Sequence, residues 1–234
     1  MNNSNQTYAA GEGGLNRFFT KMYGFMVGAV AFSALIAYLC ATTFQMSVLN
    51  FFGTHRFAFF ALFAIQLVMV FGVSFKPGRS AVSSIVMLFA FAGIEGLFLS
   101  TILMVYDISH VTMAFVAAAT EFVVLAIFGA TTKKDLSGFG KQALAALIAL
   151  ILVTFINIFL QSPMISYIFS FVGVIIFTIL TAWDSQNFKN MYLQFGDQVN
   201  TTSLAVSGAL QLYLDFINIF IQLLTIFSGG SSRD

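Results

Sequence analysis

Seven stretches of this chain are each long and apolar enough to cross a lipid bilayer, and that feature limits the available folds more than any other. A helix rises about 1.5 Å per residue, so crossing a hydrocarbon layer of about 30 Å takes about 20 mostly apolar residues. The stretches run Phe18–Thr42, Phe57–Phe75, Ala81–Val105, Val111–Ala130, Gly140–Leu160, Pro163–Trp183 and Ser203–Phe227. Within them the apolar residues are continuous and do not alternate, which predicts helices and not the strands of a membrane barrel. Short polar breaks separate several of them: Lys76-Pro77-Gly78-Arg79, Lys133 to Gly138, and Gln161-Ser162-Pro163. The longest connection, Asp184–Thr202, reads either as a loop or as a continuation of the sixth helix before the turn.

Composition closes off the alternatives. Hydrophobic residues make up 59% of the 234 and charged residues only 8%, where a soluble domain carries about a quarter charged. A water-soluble fold of this size would leave a large apolar area outside, whereas a bilayer acts as solvent for it. The net charge of +1 argues against a nucleic-acid partner. The single cysteine, Cys40, excludes an intramolecular disulfide and reads as a small buried hydrophobe. The expected organisation is a polar cytoplasmic tail over residues 1–16, one seven-helix membrane domain over 17–228 and a short tail over 229–234. The first apolar run is too long for a signal-peptide core and lacks a small-residue cleavage site, so it reads as a retained span. With the N-terminus inside, Arg17, Lys21, Lys76, Arg79, Lys133, Lys134, Lys141 and Lys189 fall on the cytoplasmic side and only Arg56 and Arg233 outside. That bias fits the positive-inside rule, and seven crossings then place the C-terminus outside.

The ionisable residues within the spans are the candidates for chemistry, and all four are acids: Glu95, Glu121, Asp184 and Asp215. An acid at a helix centre costs about 2.5–3.5 kcal/mol on insertion scales, so each needs water, a proton, a cation or a hydrogen-bonding neighbour. In the seventh span Ser203, Ser207, Gln211, Asp215, Asn218, Gln222 and Thr225 recur at intervals of three or four and form one polar stripe. Such a stripe faces protein or water: either a hydrogen-bonded seam between helices or an ion-accessible path. Near the end of the sixth span Thr178, Thr181 and Ser185 share a face with Asp184 beside them, and Trp183 suits a membrane interface. Antiparallel neighbours can bring Asp184 close to Asp215. Two carboxylates in one desolvated site do not both keep their charge cheaply, so the pair titrates as a unit and shares a proton or binds a cation. Calcium fits such a set, taking two carboxylates with amide, hydroxyl and water oxygens. Glu95 lies between Gly93 and Gly96, which admit a close helix, and Glu121 has no comparable context. No protease, hydrolase or phosphate-loop pattern is present, so the reading is of a protein that is not an enzyme and needs no cofactor.

Three segments carry a family resemblance. Thr181-Ala182-Trp183-Asp184-Ser185-Gln186 resembles the D-[TS]-Q signature that closes the sixth helix of the Bax inhibitor-1-like family. Leu212-Tyr213-Leu214-Asp215-Phe216-Ile217-Asn218-Ile219-Phe220 is similar to that family's seventh helix, and Glu95-Gly96-Leu97-Phe98-Leu99-Ser100-Thr101-Ile102 to its third. The resemblance implies a seventh helix wrapped by the other six, and a pH-sensitive calcium leak whose paired aspartates correspond to Asp184 and Asp215. It also implies a basic latch near the second and third helices, for which Arg79 and then Lys76 are the nearest matches. Glu95, Gln211, Asn218, Gln222, Ser207 and Thr181 would support the polar path, with calcium and protons as the ligands. The chain's end, Ser-Gly-Gly-Ser-Ser-Arg-Asp, lacks the charged tail usual in eukaryotic members and points to a bacterial plasma (inner) membrane protein. Two other readings stay open: a non-conducting regulator that binds other membrane proteins, such as a quality-control protease, and a proton-coupled transporter.

Overall fold

A computed structural model describes residues 3–55, 57–74, 80–195 and 199–229. The described residues form helices and no strands: α1 (Asn3–Thr42), α2 (Gln45–Thr54), α3 (Ala58–Ser74), α4 (Ala81–Val105), α5 (Ile108–Thr131), α6 (Ser137–Leu160), α7 (Pro163–Phe195) and α8 (Thr201–Phe227). Six of these, α1 and α4 to α8, are long and apolar enough to cross a membrane. The expected second span is represented by α3, which has 17 described residues. That count is at the lower end of the range of about 17–25 residues that crosses a bilayer. Of the two readings of the long connection, continuation of the sixth helix is the one observed: α7 runs past Trp183 to Phe195. A short helix, α2, also precedes α3.

The chain divides into two compact units, Met1–Met104 with Lys189–Tyr213, and Val105–Phe188 with Leu214–Asp234. In the first, α1 and α4 approach until no side chain fits between them. A Cβ on Gly96 would lie 2.6 Å from the Ser33 carbonyl oxygen and 2.8 Å from the Ile36 Cβ. Phe32 meets Phe89 edge-on at 5.6 Å, and Phe18 stacks on Tyr192 at 4.7 Å. The Ser84 and Ser203 hydroxyls bond at 2.9 Å and join α4 to the start of α8.

The second unit uses the same two devices, aromatic edges and glycine contacts. Phe115 and Phe122 of α5 present themselves edge-on to Phe216 of α8 at 5.6 and 6.0 Å. Gly173 of α7 receives the side chain of Gln222, whose Cδ would lie 2.8 Å from an added Cβ. On α6, Ile148, Leu152, Phe155 and Phe159 are exposed, the distribution a lipid-facing helix requires. Half of the most apolar window of α8 is buried, against a third or less in the other five candidate spans.

Candidate functional site

Asp184 and Asp215 lie in the second unit, on α7 and α8, with relative exposures of 3% and 2%. Their carboxyl groups are within hydrogen-bonding reach of each other. A hydrogen bond between two carboxyl groups needs a proton on one of them. The Asp215 Oδ2 is buried and makes no hydrogen bond, and the same is true of the hydroxyl of Ser185, which follows Asp184 in the chain, so both have hydrogen-bonding capacity to spare. Thr181, one turn before Asp184, is fully buried and donates its hydroxyl to the Phe177 carbonyl at 2.8 Å, which leaves its oxygen lone pairs available.

The back of the Asp184 turn is held by the connection between α5 and α6. The Gln186 Oε1 accepts from the Leu136 backbone N–H at 2.8 Å, and its Nε2 donates to the Lys134 carbonyl at 2.7 Å. Gly129, in the last turn of α5, abuts the Ala182 carbonyl, and Gly140, in the first turns of α6, lies under the Trp183 ring. Neither position has room for a methyl group.

The remaining candidates spread along the molecule. In the second unit Asn218 donates to the Leu214 carbonyl of its own helix at 2.7 Å, and Gln222 packs on Gly173. In the first unit Ser207 donates to the Ser203 carbonyl at 3.1 Å, and Gln211 is half-buried. Glu95 is also in the first unit, where its Oε2 accepts from the Gln66 Nε2 at 2.8 Å. Lys76 and Arg79, the expected latch residues, lie outside the described residues.

Three partnerships were not anticipated by sequence reasoning. Gln66 is the only amide in the apolar run of α3, a signal that could have marked it as the Glu95 partner. Glu121, expected to lack context, accepts a hydrogen bond from the Thr178 hydroxyl at 2.6 Å. Gln186 belongs to the motif that singled out Asp184, and its backbone partners lie 50 and 52 residues away in sequence. Among the described residues no group of three or more His, Cys, Asp or Glu is arranged to hold a metal ion.

The family described as "Inhibitor of apoptosis-promoting Bax1" matches residues 15–233. A membrane protein of Streptococcus pyogenes serotype M3 is 35% identical over 225 residues, covering 96% of this chain and 98% of its own length. YrjE of Lactococcus lactis is 35% identical over 235 residues and the full length of both chains. The inner membrane protein YbhL of Escherichia coli K12 is 36% identical over 219 residues, 92% of this chain and 93% of its own.

Proposed function

The chain belongs to the Bax inhibitor-1-like family, and on that premise we propose that it is a pH-sensitive calcium leak of the bacterial plasma membrane, set by a proton shared between Asp184 and Asp215. One observation carries this reading: two buried carboxyl groups, on different helices, lie within hydrogen-bonding reach of each other. Two full charges about 4 Å apart repel by about 4 kcal/mol at the effective dielectric of about 20 that describes charges in proteins. The pair therefore keeps both charges only when a cation sits with it, and otherwise holds a proton. Proton and cation compete for the same oxygens, which is the requirement for a pH-sensitive conductance.

Calcium suits the donor set as a passing ion. Two carboxylates supply at most four of its six to eight oxygens, with the hydroxyls of Ser185 and Thr181 and water to complete the shell. A permeant ion has to bind well enough to enter and weakly enough to leave. The inner-membrane name of YbhL supports the location. Seven crossings, with α3 among them, a central α8 and a cytoplasmic N-terminus complete the proposal, supported by the distribution of basic residues and the burial of α8.

The test is calcium uptake into proteoliposomes, scanned over pH. Wild-type protein should show uptake that changes steeply with pH. Asp184→Asn and Asp215→Asn, which remove charge and keep shape, should flatten that dependence whatever they do to the maximal rate. Melting temperatures control for misfolding. If both variants fold and keep the wild-type profile, the aspartates are packing residues and the proposal fails.

A further inference from the structure

We infer that Gln186 is a positioning residue for Asp184, so that the connection between α5 and α6 and the aspartate-bearing turn of α7 move as one body. The inference rests on the reading of Asp184 and Asp215 as a shared-proton pair. At about 100° per residue, Ala182, Trp183 and Gln186 fall within an arc of about 100° on α7. Asp184 lies on the other side of the same turn, where it meets Asp215. All three residues on the arc grip the connection or the helix ends it joins: Ala182 against Gly129 at the end of α5, Trp183 over Gly140 at the start of α6, and Gln186 through both ends of its amide. A displacement of the connection cannot be absorbed at these contacts, because the glycines leave no slack and the amide is bound on both sides. It passes to the turn and so to the carboxyl.

Glutamine is the residue type this clamp needs. Leu136 is the N-cap residue of α6 and makes no side-chain capping bond. Its N–H belongs to a helix start whose backbone donors have no partner within the helix. A neutral amide answers that N–H with its oxygen and the Lys134 carbonyl with its nitrogen, which neither a carboxylate nor an ammonium does. Gln186 is 7% exposed, and Asp135, between the two bonded backbone groups, faces solvent. The charged groups and histidine on the elements packed against this turn are Asp215 on α8, Glu121 and His110 on α5, Lys141 on α6, and Lys133, Lys134 and Asp135 along the connection. Lys189 follows on α7 itself. Lys141 and the three along the connection are exposed.

Capping α6 alone would also justify Gln186, so the test must read Asp184 and not only stability. Infrared pH-difference spectra of the purified full chain in lipid nanodiscs report carboxyl protonation directly, and the signal of the pair is the one lost in Asp184→Asn and Asp215→Asn. Gln186→Leu removes both hydrogen bonds at similar volume. Leu136→Pro removes the N–H donor at the far end together with the leucine side chain, and the backbone φ of −92° has to shift toward proline's value of about −65°. Both variants should retain the signal and move its midpoint in the same direction by about half a pH unit or more. A midpoint that stays in place in a folded variant overturns the positioning role and leaves the shared proton standing. A spectrum unchanged by the aspartate substitutions overturns the shared-proton reading, and the inference with it.

Discussion

Glu95 and Glu121 look alike at the level of single residues, since each is an acid within an apolar helix and each accepts one hydrogen bond from a neighbouring helix. The small residues around Glu95 made it the stronger candidate in the sequence, yet the structure gives Glu121 a hydroxyl partner at 2.6 Å. Context alone therefore no longer separates the two, and the partners do. Gln66 is 6% exposed, and its amide has the Glu95 carboxyl to donate to. Replacing Gln66 with Leu leaves a carboxyl without that donor in an apolar setting, which should cost about 1–3 kcal/mol. Glu95→Gln should cost much less, because the new amide oxygen still accepts from Gln66, which makes it a clean probe of the charge. Melting temperatures in one detergent check both, and a Gln66→Leu protein that melts with the wild type would show that the pair adds nothing. Thr178→Val tests Glu121 in the same way, with an expected loss of about 1 kcal/mol.

At the scale of elements, the first turns of α6 offer a paired test two residues apart. A Cβ on Gly140 would run into the Trp183 ring, whereas one on Gly138 meets nothing within 4 Å. Gly140→Ala should destabilise by about 1–3 kcal/mol through overpacking. Gly138→Ala should be neutral or stabilise by up to about 1 kcal/mol, since alanine favours helix. Equal melting temperatures for the two would mean that α6 does not dock on α7 through that glycine. Asp135 adds a pH dependence just ahead of α6. Hydrogen bonds from Ser137, from the side chain first and then from the backbone N–H at 2.9 Å, hold its carboxylate below the usual range. Its contribution to stability is therefore complete above the ordinary carboxylate pKa of about 4 and is lost as pH falls through the lower folded value. Asp135→Asn should shallow the acid limb of melting temperature against pH, and an unchanged limb would remove this capping bond from the account. These contacts also mark where the sequence stopped being legible. The stripe along α8 is periodic and the apolar runs are continuous, so each is visible within one helix. The Gln186 clamp and the Gly140 docking join residues more than 40 positions apart, and a local pattern carries no trace of them. The short α2 is hidden for a different reason: at ten residues it is too short for a helical period to stand out, although polar Thr42-Thr43 and Thr54-His55-Arg56 flank it.

For the whole molecule, the question that decides every side assignment is whether α3 crosses the bilayer. Its 17 described residues are close to the minimum, so length alone leaves the matter to charge. With a cytoplasmic N-terminus and α3 crossing, Lys133, Lys134 and Lys141 fall inside. Without that crossing the same three lysines fall outside, against the positive-inside rule, at a cost that orients many membrane proteins. Two glycines allow a direct measurement: Gly53 of α2 and Gly138 of α6 both have open space where a side chain would start. Three helices, α3, α4 and α5, separate them in the chain, so three crossings put them on opposite sides and two put them on the same side. Single-cysteine proteins, Gly53→Cys and Gly138→Cys, are made in a Cys40→Ala background and treated with an impermeant maleimide in intact cells and again after permeabilisation. The expected result is labelling of Gly53→Cys in intact cells and of Gly138→Cys only after permeabilisation. Labelling of both, or of neither, in intact cells would mean that α3 does not cross. The lysine-bearing connection would then share a side with α2, and the seven-span topology would have to be given up.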